Sequence, residues 1–429
     1  LGDVYKRQEL QPVLTGRLEE YGMIELYNSV ELPLVKVLAD MEHEGFSVDK
    51  AMLEVLSGDF AKQIDALTSE IYRLSGEEFN INSTRQLGTV LFDKLGLPAM
   101  KKTKTGYSTD VEVLEQLYDK HPIIQKLLEY RQLVKLKSTY VDGLIGIINP
   151  ETGRIHTRLN QTVTATGSLN STEPNLQNIP IRTENGRQIR KVFVPRSQDY
   201  ILLDADYSQI ELRVLAHISG DKGLIDTFKR NEDIHTRTAS EVFGIEIKDV
   251  TPLMRGRAKA VNFGIVYGMS DYGLSQDLKI SRKEAKKYID NYFARYPGVK
   301  QYMTDIVEAA RTDGYVKTIM NRRRYIPEIT SRNAVNRNFG ERIALNTPIQ
   351  GSAADLIKMA MVKVYDELKK RNLKSRLILQ VHDELIVETH KSELSEVKKL
   401  VKECMENAIK LSVPVIADIS SGDSWYNAK

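Results

Sequence analysis

The stretch YILLDADYSQIELR, residues 200–213, limits the possible folds more than any other part of the sequence. Its first six residues, 200–205, form an apolar run of strand-favouring side chains, which predicts a buried β-strand. Asp206 follows where this strand should end, and residues 209–219 predict a helix that stops at Gly220. An aspartate in this position can hold a metal ion in a cleft, but it can equally cap the helix. The stretch alone leaves both interpretations open.

A second stretch, RLILQVHDELIVET at residues 376–389, predicts a β-hairpin with His382 and Asp383 as its two-residue turn. Such a turn needs positive φ and favours Asn-Gly or Asp-Gly, so His-Asp indicates selection for chemistry, although an ordinary exposed tip is the alternative. Together, Asp206 and Asp383 could hold a pair of Mg²⁺ ions, which bind carboxylates alongside water and phosphates. Two such ions can activate a hydroxyl and stabilise the leaving oxygen of a phosphoryl transfer.

The cysteine content and hydropathy of the sequence argue against several classes of protein. The chain has 429 residues, enough for one large multi-lobed unit or for roughly two to three domains. Cys404 is its only cysteine, which excludes a disulfide framework and a thiolate metal site and predicts a reducing cytoplasm. We expect neither a signal peptide nor a membrane partner, because no apolar run is long enough to cross a bilayer.

The net charge of +3 does not by itself indicate a nucleic-acid-binding protein, but the basic residues are clustered. The clusters are Lys101, Lys102 and Lys104; Arg131, Lys135 and Lys137; Arg187, Arg190 and Lys191; Arg255, Arg257 and Lys259; and Arg322, Arg323 and Arg324. Any one cluster is typical of a solvated helix face. All five on a chain of balanced charge favour a polyanion that lies across part of the surface.

The first third of the chain predicts a helical lobe, residues 46–150. Asp49 is a candidate N-cap of a long helix with apolar residues every three to four positions, and residues 123–148 are its expected packing partner. The polar basic loop 101–109 between them is of a kind that can follow phosphates. Residues 1–8 resemble a translated sequencing adapter, so we expect them to be an assembly artefact.

The segment 154–181 is rich in Thr, Asn and Gln and predicts a strand followed by a loop. So many polar side chains are costly to bury unless they meet a polar ligand, and sugars and base edges would suit them. A solvated loop is the alternative.

A helix is predicted to begin at Thr251 and Pro252. The spacing of four places two cations and then two aromatic rings on one of its faces, at Arg255, Lys259, Phe263 and Tyr267. This arrangement suits a nucleoside triphosphate, with cations on the phosphates and rings against the sugar and base. A helix with a basic end and an aromatic core contact is the alternative.

A later helix repeats the spacing of four with Arg342, Asn346 and Gln350, and Pro348 within it predicts a kink. Three long polar donors in a row suit the minor groove, where every base pair presents similar acceptors. Reading of this kind is independent of sequence, as an enzyme that copies DNA would need.

The segments DYSQIELR, RGRAKAVNFGIVYG and QVHDE, in this order, resemble motifs A, B and C of the family A DNA polymerases. The similarity extends from about residue 9 to the C-terminus and corresponds to the polymerase portion of longer bacterial members. It implies an α+β fold of right-hand architecture, with an antiparallel palm sheet and mainly helical thumb and fingers. The implied regions are a residual exonuclease-like tail (9–28), palm (29–45, 151–215 and 336–429), thumb (46–150) and fingers (216–335).

The resemblance also implies the roles of individual residues. Asp206, Asp383 and the Tyr207 carbonyl would bind two Mg²⁺ ions, for which Mn²⁺ can substitute, and the implied catalytic residues are Asp206, Asp383, Lys259 and Glu384. The nucleotide contacts would be Arg255, Lys259, Phe263, Tyr267, His235, Gln209 and Glu211. The DNA contacts would be Arg342, Asn346, Gln350, His382, Asn175, Gln177, Asn178, Lys101, Lys102, Lys104, Arg131 and Lys135.

The implied activity is DNA-directed DNA polymerisation, in which dNTPs extend a primer on a template and pyrophosphate is released. The implied protein is a cytoplasmic monomer, bacterial or encoded by a phage, and we expect no proofreading or 5′ nuclease in this chain. Two positions depart from the family pattern: Ser168 replaces the usual Arg, and Asn321 replaces a Gly. Because of Ser168, an inactive DNA-binding protein with the polymerase fold is one alternative. A nuclease is a second alternative, which the triphosphate-facing helix disfavours.

Overall fold

The fold is known from a computed structural model, which describes residues 2–99, 102–103, 106–181 and 183–429. The α-helices are α1 (Gly2–Glu20), α2 (Ile24–Leu26), α3 (Leu32–Glu44), α4 (Lys50–Ser75), α5 (Thr84–Gly88), α6 (Val111–Gln116), α7 (Pro122–Lys135), α8 (Gly143–Ile145), α9 (Glu184–Arg190), α10 (Ile210–Ser219), α11 (Lys222–Lys229), α12 (Ile234–Phe243), α13 (Pro252–Val266), α14 (Asp271–Leu278), α15 (Arg282–Arg295), α16 (Pro297–Asp313), α17 (Ala334–Lys370) and α18 (Leu394–Glu406). Turns of π-helix lie at Tyr27–Glu31, Thr89–Lys94 and Leu136–Asp142, and turns of 3₁₀-helix at Ile247–Asp249, Pro327–Thr330 and Lys391–Glu393.

The strands are short except near the predicted aspartates. They are β1 (Phe46–Ser47), β2 (Lys102–Thr103), β3 (Gly106–Tyr107), β4 (Arg154–Ile155), β5 (Arg158–Asn160), β6 (Asn170–Thr172), β7 (Tyr200–Tyr207), β8 (Tyr315–Lys317), β9 (Arg323–Tyr325), β10 (Arg376–Val381), β11 (Glu384–His390) and β12 (Ala417–Gly422). The longer strands form one four-stranded sheet in the order β10-β11-β7-β12.

The chain divides into two compact units, which we call the first and the second unit. The first unit comprises the residues up to Gly45, Thr157–Gln177 and Ser197–Ser421. The second unit comprises Phe46–His156, Asn178–Arg196 and Gly422–Lys429. Within the described ranges, no helix is long and apolar enough to span a membrane.

In the first unit, the four-stranded sheet packs into a large apolar core with α10, α17 and α18. β11 pairs antiparallel with both β10 and β7, and the predicted hairpin is confirmed. The predicted end of β7 is wrong, because the strand continues through Asp206 to Tyr207. The reason is that Tyr207 is buried and its backbone N–H donates to the Asp383 carbonyl at 3.0 Å, which extends the ladder.

The helix boundaries of the first unit follow the local sequence signals. Gly220 ends α10 with φ +61°, and the hydroxyl of Thr251 accepts from the backbone N–H of Met254 at the start of α13. Helix α17 continues through Pro348 without a break. Asn321, which replaces the Gly of the family pattern, adopts φ +62°, a left-handed conformation that asparagine tolerates better than most residues.

In the second unit, Asp49 caps α4 by accepting from the backbone N–H of Met52 at 2.9 Å, as predicted. Helix α4 packs against α7 and the π-turn that follows it, which confirms the expected partner of the long helix. A separate aromatic cluster joins distant parts of the chain, since Trp425 lies 5.5 Å from Phe193 and 6.0 Å from Phe46 between ring centroids.

Candidate active site

The two predicted carboxylates lie at one end of the four-stranded sheet, with Asp206 on β7 and Asp383 in the turn that leads into β11. Asp206 is the register partner of Glu384 in the β7–β11 ladder, and Asp383 is the residue just before Glu384. The turn that presents Asp383 has φ +55° at His382, whose carbonyl accepts from the Gln380 side chain at 2.6 Å. The polar turn is therefore held by its own strand, and it brings the Asp383 backbone next to β7.

Asp383 opens into a cavity of about 540 Å³ in the first unit. The lining residues come from the 168–177 segment, α10, α12, α13, α17 and the hairpin. They include Ser168, Gln177, Gln209, Glu211, His235, Arg255, Lys259, Phe263, Tyr267, Gln350, Lys358, Gln380, His382 and Asp383. The cavity thus brings together all seven predicted nucleotide contacts and one of the two predicted metal carboxylates.

The predicted face of α13 forms one wall of the cavity. The rings of Phe263 and Tyr267 are nearly parallel, with centroids 6.4 Å apart and 16° between planes. Lys259 Nζ lies 5.9 Å from the centroid of Phe263. These contacts order the cation and the two rings along the helix, which is an arrangement suited to phosphate at one end and a planar base at the other.

Arg255, at the start of the same face, is engaged by an acidic partner. Its guanidinium donates to both carboxylate oxygens of Asp233, at 2.7 and 3.2 Å. Although burial opposes the shift, hydrogen bonds from Arg255 and Thr236 lower the pKa of Asp233 to about 2. The sequence pattern gave no sign of this pair, and a phosphate that binds Arg255 has to compete with Asp233.

Glu211, Tyr267 and Gln350 form a polar cluster on another wall. The Tyr267 hydroxyl donates to Glu211 at 3.1 Å. Burial raises the pKa of Glu211, partly offset by Tyr267 and Gln350, and burial with the nearby Glu211 charge raises the pKa of Tyr267 to about 12. The cluster therefore holds a carboxylate and a phenol rigidly against the cavity.

His235 lies in the first turn of α12 and is almost fully buried. Its Nδ1 is 3.1 Å from the side-chain nitrogen of Asn262, a fully buried residue of α13 that the sequence did not single out. Burial lowers the pKa of His235 to about 4. The ring is neutral at physiological pH.

Other predicted residues lie elsewhere in the described part of the chain. Arg342 is exposed on α17, and neither it nor Asn346 lines the cavity, whereas Gln177 lines it and donates to Gln380 at 3.0 Å. Gln209, which precedes α10, has φ +55°, a conformation that non-glycine residues adopt at a cost. Glu384 is buried in β11, so it lies beneath the site and not at its surface.

Tyr207 cannot offer its phenol to a ligand, because its hydroxyl donates to the Met405 carbonyl at 2.8 Å. The backbone carbonyl of Tyr207 is therefore the group that matches its implied role as a metal ligand. Asn175 is half-buried in the first unit and Asn178 is exposed in the second, and neither lines the cavity.

In the second unit, Arg131 donates to the hydroxyl of Thr109 at 3.1 Å and to the Thr109 carbonyl. Burial lowers the pKa of Arg131, whereas Lys135 is exposed. The alternative of a solvated helix face is therefore wrong for Arg131. Lys101 and Lys104 lie outside the residues that the structure describes, and for Lys102 only the backbone, in β2, is described.

The interpretation of residues 322–324 as a basic surface cluster is wrong. Arg322 is largely buried and pairs with Glu31 and Asp355, while Arg324 donates to the hydroxyl of Thr347 at 3.0 Å. Arg323 stacks on the rings of Tyr21 and Tyr315 at 4.5 Å from each centroid. These arginines hold the first unit together.

A buried ionic network was also not predicted from the sequence. Lys358, whose side chain is fully buried, pairs with Glu31 at 2.8 Å, and Arg322 joins Glu31 to Asp355. The four side chains carry two charges of each sign. The cluster, which we call the ionic quartet, supports the wall that contains Lys358, and no local pattern could reveal pairs so far apart in sequence.

The carboxylates fit a divalent cation that also binds substrate. Within the described ranges, no group of three or more His, Cys, Asp and Glu side chains is placed to hold a metal ion. Asp206 and Asp383, with a backbone carbonyl, match Mg²⁺, which keeps water and takes phosphate oxygens as further ligands. A cavity that contains Asp383, two cations and two nearly parallel rings, with Asp206 on the adjacent strand, is of the kind that suits the transfer of a nucleotide.

The comparisons with known proteins agree with this class. The model of the family described as DNA polymerase family A matches residues 50–427, and the chain belongs to that family. The predicted family and the α+β polymerase fold are confirmed. A solved structure, the POL domain of Pol1 from M. smegmatis in complex with DNA primer-template and dNTP, is 49% identical with a TM-score of 0.93; the match covers 98% of this chain and 74% of that chain.

Curated relatives named DNA polymerase I are more similar in sequence. The protein of Geobacillus stearothermophilus is 54% identical over 98% of this chain and 48% of its own length. The protein of Caldicellulosiruptor bescii is 56% identical over 94% of this chain and 47% of its own length. The chain therefore spans about half the length of the curated relatives that it matches.

Proposed function

We propose that this chain is a DNA-directed DNA polymerase that adds dNTPs to the 3′ end of a primer and releases pyrophosphate. The observation that carries the proposal is the single cavity that unites Asp383, the α13 face and the Glu211–Tyr267–Gln350 cluster. The relative from M. smegmatis, whose structure contains primer-template DNA and dNTP, supports the same partners for this chain.

The nucleotide would lie along α13. Arg255 and Lys259 bind its phosphates, and Lys259 protonates the departing pyrophosphate as a general acid. Phe263 stacks on the base and Tyr267 limits the space beside the sugar. Glu211, held by the Tyr267 hydroxyl, excludes a 2′-hydroxyl, because the added group would meet a fixed and partly desolvated carboxylate.

Asp206, Asp383 and the Tyr207 carbonyl would hold two Mg²⁺ ions, and Mn²⁺ can substitute. Family A DNA polymerases are metal-dependent in general. When bound, the metal ions activate the primer hydroxyl and stabilise the leaving oxygen. The protein's own contribution is the position of Asp206 on β7 and of Asp383 in the turn that leads into the adjacent strand β11.

The DNA would be bound by Arg342, Asn346, Gln350, His382, Asn175, Gln177 and Asn178, and its phosphates by the basic residues of the second unit. We assign the palm to residues 29–45, 151–215 and 336–429, the thumb to 46–150 and the fingers to 216–335. The proposal extends to a cytoplasmic monomer, and to the absence of proofreading and 5′ nuclease activity in these 429 residues. The bacterial origin of the curated relatives supports the location.

Primer extension tests the proposal. A labelled primer on a longer DNA template is incubated with the protein and all four dNTPs, with and without Mg²⁺. We expect stepwise extension that requires Mg²⁺ and is lost in Asp206→Asn and Asp383→Asn. Shortening of the primer would point to a nuclease, and binding without extension would favour the inactive scaffold; either result would overturn the proposal.

A further inference from the structure

Asn262 is a fully buried polar residue of α13 that contacts no substrate in the proposed reaction. Its side-chain nitrogen is 3.1 Å from Nδ1 of His235, and its side-chain oxygen accepts from the Thr238 hydroxyl at 3.2 Å. Thr238 is fully buried and belongs, like His235, to α12. The amide therefore joins two helices and fixes the imidazole ring from the interior of the protein.

This contact determines which ring nitrogen carries the proton. An amide nitrogen can only donate, so Nδ1 of His235 accepts, and the proton of the neutral ring is on Nε2. Nε2 itself makes no hydrogen bond to any residue in the described part of the chain, and His235 lines the cavity with Arg255 and Lys259. The N–H of Nε2 is therefore the group that His235 presents to a ligand.

The surroundings of His235 keep the ring neutral. Burial lowers its pKa to about 4, and the charges of Arg255 and Lys259 lower the pKa while that of Asp233 raises it. The position in the first turn of α12 acts in the same direction, because the positive end of the helix dipole disfavours a second cation. A neutral ring has one N–H, so its placement decides whether the cavity meets a donor or a lone pair.

We propose that Asn262 is a positioning residue that holds His235 in its Nε2-protonated tautomer, so that the ring donates a hydrogen bond to a phosphate oxygen of the incoming nucleotide. The proposal rests on the proposed function, because that function supplies the phosphate. The other tautomer would direct a lone pair at an anionic oxygen, which is repulsive. The walls of the cavity that α12 and α13 form are thus coupled through the side-chain amide of Asn262.

The tautomer is measured first, on the whole protein without DNA or nucleotide. Long-range ¹H–¹⁵N spectra of protein labelled at histidine distinguish protonated from unprotonated ring nitrogens, and His235→Gln identifies the resonances of His235. We expect Nε2 protonated and Nδ1 unprotonated, unchanged from about pH 6 to about pH 8. A proton on Nδ1, or titration within this range, would overturn the proposal.

The consequence for function is measured with Asn262→Asp. A carboxylate can only accept, so it favours a proton on Nδ1 and stabilises the imidazolium. As the pH rises, the imidazolium of this variant loses its Nε2 proton. The KM for dNTP should then increase roughly tenfold, because one hydrogen bond to a charged phosphate is lost. The kcat should change less, because the contact is to the bound nucleotide.

The double variant Asn262→Asp, His235→Gln is the matched control. Glutamine offers an N–H donor but has no tautomer to titrate, so the extra pH dependence of KM should disappear. Persistence of that dependence in the double variant, or its absence in Asn262→Asp, would show that Asn262 acts only through packing. If Asn262→Asp does not fold, the spectrum of the unchanged protein decides.

The two proposals fail separately. A wild-type chain that does not extend a primer contradicts the proposed function, whatever the tautomer. A chain that extends primers but carries the His235 proton on Nδ1 contradicts only the role of Asn262.

Discussion

At the scale of single residues, the site contains groups whose partners were not visible in the sequence. Arg255 was expected to face phosphate, yet it is paired with Asp233, which also caps α12 by accepting from the backbone N–H of Thr236 at 2.6 Å. The carboxylate therefore has two roles, one in helix stability and one as a competitor for the arginine.

Asp233→Asn separates these two roles, because asparagine caps a helix as well as aspartate but carries no charge. We expect the KM for dNTP to fall by roughly two- to fivefold, the range for a partly exposed ion pair. The folded pKa of Asp233 is lowered to about 2, so the pair is intact above the unfolded pKa and is lost only as the pH falls towards 2. The effect on KM should consequently be the same at every pH from about 6 to about 8.

Asp226→Asn is the matched control, since Asp226 pairs with Arg230 at 3.6 Å on the exposed surface of α11. A change in KM of the same size in both variants would mean that general electrostatics, and not release of Arg255, is responsible.

Ser168 is the departure from the family pattern that lines the cavity, where its hydroxyl is 3.2 Å from that of Thr166. The family resemblance implies that the arginine at this position reaches the minor groove at the primer end, and Ser168→Arg would restore that charged donor. We expect roughly tenfold tighter binding of the primer terminus and a lower rate of extension from mismatched ends, because a charged hydrogen bond is regained. Single-nucleotide extension from matched and mismatched primers measures both.

Ser168→Gln adds length without charge and is the control for that experiment. If Ser168→Arg changes neither the extension rate nor mismatch extension, the serine does not weaken the binding of the primer terminus.

At the scale of elements, the ionic quartet links the π-turn at Glu31, the loop before β9 and helix α17. Lys358 is fully buried there. Lys358→Met should lower the free energy of unfolding by about 3–5 kcal/mol, because it leaves Glu31 and Asp355 with one cation between them in a region of low dielectric. Urea denaturation measures the loss.

The double variant Glu31→Gln, Lys358→Met removes one charge of each sign and should recover part of that stability. A double variant as unstable as the sum of the single ones would show that the two side chains do not interact.

The elements that carry the chemistry could be predicted because their signals are local. The hairpin around Asp383 followed from alternating apolar strands, and α13 followed from Thr251 and Pro252 and the spacing of four. The ionic quartet could not be predicted, because Glu31 and Lys358 are 327 positions apart. Asn262 was missed because a single polar residue inside an apolar helix face has no distinctive pattern.

At the scale of the whole molecule, the second unit is assembled from three separate parts of the chain. Its aromatic cluster takes Phe46, Phe193 and Trp425 from those three parts, and Arg190 lies 3.9 Å from the Trp425 ring centroid. Each ring is fully or almost fully buried.

Trp425→Ala should destabilise the second unit by about 3–5 kcal/mol, the cost of a large cavity in a packed core. Hydrogen exchange should accelerate in 46–156 and 178–196 more than in 197–421, because the lost contacts belong to the second unit. The neighbouring Tyr426→Ala, at a half-exposed position, should have a smaller effect. Equal acceleration throughout the chain would mean that the two units unfold together.

The position of Trp425 in the sequence also determines when the aromatic cluster can form during translation. Phe46 and Phe193 are translated before Trp425, so the ring that completes their cluster is the last of the three to be made. Until then the second unit keeps apolar surface within reach of chaperones and proteases. A copy whose translation stops before residue 425 therefore keeps an unfinished core in its second unit, with the rings of Phe46 and Phe193 uncovered.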